Sequence, residues 1–261
     1  MPYVKSIVIG AVLLFSPIAN AQPLFPNSVV SNDLEFIKTT DQNAFACITY
    51  NGTRRAEMPD KRSDNLMANG THIFKARYKD KTSVGLWAHR DLGSRQTAEK
   101  TIAPVAQAIG KLPSFMRAKL KHVVIHKGDE TAFAEGQGHF FVLYSENIKT
   151  RIRNHDLEET IFHESVHATL DRKHARSKKW RAAQQKDGDF ITRYAARLPQ
   201  KENLAESALF AWAMLMYPGR LPQDIEQQAL EIMPNRLAFF RDLFLSKPAF
   251  KPFKKVSACK T

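Results

Sequence analysis

His163-Glu164-Ser165-Val166-His167 sets two imidazoles four residues apart, with a carboxylate beside the first. On a helix, residues four apart share one face. The pair can therefore close on a single Zn²⁺ while Glu164 reaches a water molecule on the ion. Coordination by neutral His lowers the pKa of such a water towards ~7. A carboxylate within hydrogen-bond reach then takes its proton as it attacks a carbonyl. The same pentapeptide also arises by chance on solvated helices, so its surroundings decide what it means.

Those surroundings predict a helix. Asp156 and Glu159 read as an N-cap with its capping box, and Leu157, Ile161, Phe162, Val166 and Leu170 supply an apolar face. No Gly or Pro interrupts 156–171. A catalytic zinc also needs a third protein ligand and an open position. Glu202-Asn203-Leu204-Ala205-Glu206 offers two carboxylates one turn apart, at the head of an apolar run to Leu215. Pro199 suits the start of that helix, and Pro218-Gly219 closes it. Two Glu beside so much apolar surface are costly unless something cationic meets them. The alternative is an exposed first turn where both acids favour the helix N-terminus.

With both elements in view, the chain resembles the gluzincin class of zinc metallopeptidases, in particular the catalytic domain of anthrax lethal factor and the secreted proline-proline endopeptidases. In those proteins an H-E-x-x-H helix is followed by a helix bearing E-x-x-A-E, with a tyrosine about two turns before it. The matching residues are His163 to His167, Glu202 to Glu206, and Tyr194. The resemblance covers roughly the second half of the chain and does not extend before about residue 120. It implies zinc ligands His163, His167 and Glu202, with Glu164 as general base. It further implies that Glu206 orients a ligand and that Tyr194 donates to a developing oxyanion. The gap from Tyr194 to Glu202 is one residue longer than the family pattern, and Glu206 stays open as the alternative third ligand.

Lys5, the apolar run 7–15, Pro17 and Ala19-Asn20-Ala21 form a basic, apolar and cleavable series. Residues 1–21 therefore read as a signal peptide cleaved after Ala21, with the mature chain secreted or periplasmic. No apolar stretch reaches the ~20 residues of a membrane span, so no transmembrane anchor is expected. The remaining chain, about 240 residues, is long enough for one catalytic domain with a sizeable core. We place that domain at 22–246, with the zinc-binding core at 121–246 and a basic tail at 247–261. The expected assembly is a monomer.

Net charge is +13. Such a chain is drawn to anionic surfaces (lipid or polysaccharide) or to acidic peptides. No nucleic-acid-binding motif accompanies the charge, so specific nucleic-acid recognition is not expected. The two cysteines, Cys47 and Cys259, lie too far apart for a redox or zinc pair, and export favours a disulfide between them.

The elements that must position the site read as α+β: a zincin-like metallopeptidase fold with N-terminal strands, the active-site helix, then a helical C-terminal part. Residues 22–44 read as mixed and partly extended. Strands are predicted at 45–50, 71–78, 83–89, 122–126 and 139–144, the second and third joined as a hairpin. Helices are predicted at 101–109, with Pro104 in its first turn, and at 116–120, 224–232 and 234–245. Phe140–Tyr144 is the candidate edge for adding an extended peptide, or else an ordinary buried strand. Asp171 could support a ligand but reads more simply as a solvated helix-end residue. His126 and His174 read as lone histidines, Trp87 and Trp180 as packing residues, and the basic run 172–181 as a solvated face. The function expected is a secreted zinc-dependent metallo-endopeptidase acting on a peptide or protein substrate. The alternatives are hydrolysis of a non-peptide amide in the cell wall, or an inactive basic binding protein that keeps the fold.

Overall fold

Burial with a period of two builds the sheet. The computed structural model describes residues 23–246 and 248–254. In β3 (Ser83–Ala88), Val84, Leu86 and Ala88 are buried and alternate with half-buried Gly85 and Trp87, as in a strand with one face on a core. β4 (His122–His126) and β6 (Phe140–Tyr144) are largely buried on both faces and pair in parallel, the pattern of central parallel strands. β1 (Phe45–Glu57) and β2 (Met67–Tyr78) form an antiparallel ribbon. The expected β2–β3 hairpin turns through Lys79-Asp80-Lys81-Thr82. With β5 (Phe133–Glu135), the order is β1-β2-β3-β4-β6-β5, a mixed six-stranded sheet.

Two strand expectations change. The β1–β2 ribbon extends beyond 45–50 and 71–78 because its outer half is exposed and polar, leaving no burial period to read. Phe140–Tyr144 is not an edge: β5 pairs with it antiparallel, and every residue of β6 is buried. The free edge belongs to β5, whose three residues are too few to show a period. His139, expected at the start of β6, instead adopts φ 54° just before it.

The helical layer begins with α1 (Arg95–Gly110), which starts earlier than 101–109 because Ser94 accepts the Thr97 N–H as its N-cap. Pro104 consequently lies inside the helix, not in its first turn. α2 (Ser114–Arg117) and α3 (Ser145–Arg153) follow. α4 (Leu157–Val166) continues through a π-helical turn, His167–Asp171, into α5 (Arg172–His174). Then come α6 (Lys178–Asp187), α7 (Arg193–Arg197), α8 (Asn203–Met216), α9 (Gln223–Ile232) and α10 (Pro234–Phe244). The capping box before α4 does not form. Asp156 is drawn instead to Arg151 Nη1 at 2.9 Å, and Glu159 accepts the distant Ile37 N–H at 3.0 Å. Pro199 sits in the turn between α7 and α8, and the helix it was expected to open starts at Asn203.

α4 and α8 are buried nearly all round, which is how a helix at the centre of a helical layer must be built. They pack on each other through Phe162 and Trp212, ring centroids 5.6 Å apart. Trp212 also meets Phe244 and Phe250. Truncating it to Ala removes about 3–5 kcal/mol of stability. One core runs from Val29 to Ala249. A smaller cluster, including Met58, Ile73 and Val142, covers the opposite side of the sheet. Of the expected basic tail, residues 248–254 lie against the body: Ala249 accepts the Ser114 N–H and Lys254 donates to Lys79. Among the described residues no helix is long and apolar enough to cross a membrane. The expected leader 1–21 lies outside the described residues, as does Cys259; Cys47 is not a free thiol.

Candidate metal centre

α4 presents His163 and Glu164, and the π-helical turn begins at His167. Side chains reach carbonyls along it: Thr169 Oγ1 donates to Ser165 O at 2.6 Å and Lys119 Nζ to Thr169 O at 3.2 Å. His139 Nδ1 reaches Ala168 O at 2.7 Å. The turn ends at Asp171, whose Oδ2 lies 2.6 Å from His167 Nδ1. A carboxylate only accepts, so Nδ1 carries the hydrogen and Nε2 is the atom turned towards the other two donors. Asp171 is therefore the partner of His167 and not a solvated helix-end residue.

The free Nε2 of His167 lies 3.1 Å from Nε2 of His163 and 3.2 Å from Oε2 of Glu202. His163 Nε2 to Glu202 Oε2 closes the triangle at 3.4 Å. Two imidazole nitrogens and a carboxylate oxygen at these separations call for a cation among them, either a metal ion or a proton on an imidazole. A tetrahedral ion with bonds of about 2.0–2.1 Å holds neighbouring donors about 3.3 Å apart. The residues therefore fit a small N/O-liganded cation. His163, His167 and Glu202 form the set among the described residues able to hold a metal.

Glu202 is the N-cap residue of α8, whose first turn is fixed from behind. Buried Arg236 donates to Asn203 Oδ1 at 2.8 Å and to Asp187 Oδ2 at 2.7 Å, locking α8 to α10 and α6. One turn on, Glu206 is 0% exposed and faces the other side of His163, with Oε1 3.5 Å from Nδ1. It accepts Ser28 Oγ at 2.5 Å, Val29 N–H at 2.8 Å and Thr192 Oγ1 at 2.6 Å. Thr192 also caps α7. Glu206 thus backs His163 and lies outside the three-atom triangle.

Charge gathers as this geometry demands. Burial opposes the charge on His167, but Asp171 and Glu202 outweigh it and raise its pKa well above the ordinary value. Burial likewise disfavours the Glu202 carboxylate, yet His163 and His167 hold it below the usual range. Glu164 is pushed up by burial, with His163 and His167 pulling the other way. Its Oε2 is buried without a hydrogen-bond partner. Beside it opens a cleft of about 930 Å³, walled by the β5 edge, by one face of α4 and its continuation, and by Tyr194 and Lys201. Tyr194, at the start of α7, has its phenol pKa raised by burial and by the charge of Glu202. Protein-family models, curated proteins and solved structures were each compared with the chain. None matches it. The chemistry is therefore read from the side chains themselves.

The six residues expected at the site, His163, Glu164, His167, Tyr194, Glu202 and Glu206, all meet here. His126 does not: it is buried against Pro59 O and Asp60. His174 packs on Phe239, and Trp180 is core. Trp87 stacks on His122 at 3.8 Å. Sequence reasoning missed Ser28, Val29 and Thr192 behind Glu206, and Lys61 on the cleft wall. No local pattern marks them, because each reaches the site through the tertiary fold.

Proposed function

We propose that this chain is an exported zinc metallo-endopeptidase of the gluzincin kind, hydrolysing peptide bonds with Glu164 as general base. The observation that carries the reading is the unpartnered, buried Glu164 oxygen on the helix that, with its continuation, bears His163 and His167, two of the three donors. His163, His167 and Glu202 would hold the ion, with Asp171 bonded to His167 Nδ1 and Glu206 placed 3.5 Å behind His163 Nδ1. Zinc there supplies Lewis acidity towards a water molecule and a peptide carbonyl.

The remaining work belongs to the protein. Glu164 sits where burial raises its basicity, so it takes the proton from the attacking water and passes it to the leaving amine. Tyr194 lines the same cleft and donates its phenol hydrogen to the carbonyl oxygen as charge develops on it. The open edge of β5, with Gly136 and Gln137 beyond it, offers backbone groups to which an extended peptide can add as a further strand. A Cβ at Gly136 would lie 3.2 Å from His167 O, a tight contact that the π-helical turn would have to yield to by a few tenths of an ångström.

The test couples metal analysis to a peptide-library assay. Purified protein should contain one zinc per chain, lost in His163→Ala and Glu202→Ala. Glu164→Gln should keep the zinc and lose cleavage by several orders of magnitude. A Glu164→Gln variant that cleaves at the wild-type rate rejects the mechanism.

A further inference from the structure

The cleft wall is electrically lopsided. Its lining includes four carboxylates, of which Glu164 and Glu202 belong to the proposed centre and Asp171 is committed to His167. That leaves Glu135, which turns one oxygen to the Gln137 N–H, against Lys61, Arg151, Arg172, Arg176 and Lys201. Of these five, Arg151 has an ion-pair partner, Asp156; the other four have none among the described residues. Lys61 is held firmly all the same. Its ammonium donates to Thr131 O at 2.9 Å, Thr131 Oγ1 at 2.7 Å and Ala132 O at 3.3 Å, all uncharged. No carboxylate among the described residues therefore pairs with its charge at the cleft wall.

The placement of these cations is as informative as their number. Thr160, His163, Glu164, His167, Asp171 and Ala175 recur at helical spacing along the cleft, so the cleft follows α4 and its continuation. Arg151 stands at the start of that face, tied to Asp156. Arg172 and Arg176 stand at its far end, about 20 Å beyond Thr160 at helical rise. An extended peptide covers that distance in about six residues. Lys61 lies on the cleft wall, held by Thr131 and Ala132 just before β5.

We propose that the cleft takes an acidic peptide laid along this face, with carboxylates on both sides of the bond presented to Glu164. This deepens the peptidase reading and rests on it. Positive walls of low dielectric concentrate such a ligand and reject a basic one by repulsion and unpaired burial.

Binding can be read without turnover in zinc-loaded Glu164→Gln protein, by fluorescence anisotropy of labelled octapeptides. The peptides share one neutral centre and carry Glu, Gln or Lys at both ends. The Glu peptide should bind about tenfold or more tightly than the Gln peptide, and the Lys peptide more weakly than either. Added to that protein, Arg172→Glu with Arg176→Glu should cost the Glu peptide about tenfold. Lys178→Glu with Lys186→Glu, the same charge change on α6 outside the cleft lining, should cost less than about twofold at physiological salt. Equal binding of the Glu and Gln peptides, equal losses in the two double variants, or no peptide binding overturns the proposal. If the acidic preference is found but the wild-type protein cleaves no peptide, the peptidase reading fails and the acidic-ligand assignment stands. If the wild-type protein cleaves peptides regardless of their charge, the peptidase reading stands and the acidic-ligand assignment fails.

Discussion

Glu206→Gln separates a ligand from a residue that holds a ligand. The substitution keeps shape and removes charge from a carboxylate that accepts Ser28 Oγ, Val29 N–H and Thr192 Oγ1 and faces His163 Nδ1 at 3.5 Å. If the Gln oxygen takes the Oε2 position, Val29 and Thr192 keep their acceptor. The amide NH₂ then faces Ser28, which can turn its hydroxyl to accept, and His163 Nδ1, which cannot while Nε2 serves the metal. The net loss is about one charge-assisted hydrogen bond plus one opposed donor pair, on the order of 2–3 kcal/mol. At about 2–4 °C per kcal/mol for a chain of this size, the melting temperature should fall by roughly 4–12 °C. Zinc affinity should fall about 10- to 100-fold, as for loss of a group orienting a metal-bound His. The assay is chelator competition at fixed pH beside a melting curve. Unchanged zinc affinity would refute the orienting role. Loss of zinc as complete as in His163→Ala would show Glu206 to be the third ligand, with Glu202 displaced.

Other outcomes follow from the same geometry. Tyr194→Phe should lower kcat by roughly ten- to a thousandfold, with KM and zinc content little changed; unaltered kcat with a slightly lower Tm would make the tyrosine a packing residue. Burial raises the Glu159 carboxyl from its ordinary 4.5 to about 7, so the folded chain holds a proton that the unfolded chain releases. Stability should therefore be full below about pH 4.5, fall by about 3 kcal/mol as pH rises to 7 and level off above. Glu159→Gln should remove that slope in melts taken across the window, and a wild-type profile as flat as the variant's would show the burial penalty to be absent. Non-reducing peptide mapping of exported protein should find Cys47 linked to Cys259, and two alkylatable thiols would reject the pairing.

The metal triangle is legible in the sequence because its determinants are local. A four-residue spacing on an uninterrupted apolar helix fixes where two imidazoles point, and Glu202 and Glu206 carry the same signal on α8. What differs in the structure depends on partners far along the chain. Asp156 and Glu159 have the spacing of a capping box, but Arg151 and the Ile37 N–H compete for their carboxylates and win. Asp171 reads as a solvated helix-end residue only while the helix is regular. The helix instead widens into a π turn over His167–Asp171, with Asp171 at its end on the ring of His167. The β5 edge, three residues long, has too few side chains to announce itself.

The Ser28 and Val29 contacts to Glu206 span 178 and 177 residues. Contacts of such separation form late, since loop closure must precede any gain from them. During synthesis the first of these partners emerges long before the last, and the two can meet only once α8 has been made and packed. A chain arrested before residue 206 could carry both histidines with the ring of His163 still unsupported. If the chain binds zinc as proposed, metal loading would report on completion of the fold, and zinc retention after mild chelation would measure correctly assembled molecules in a preparation.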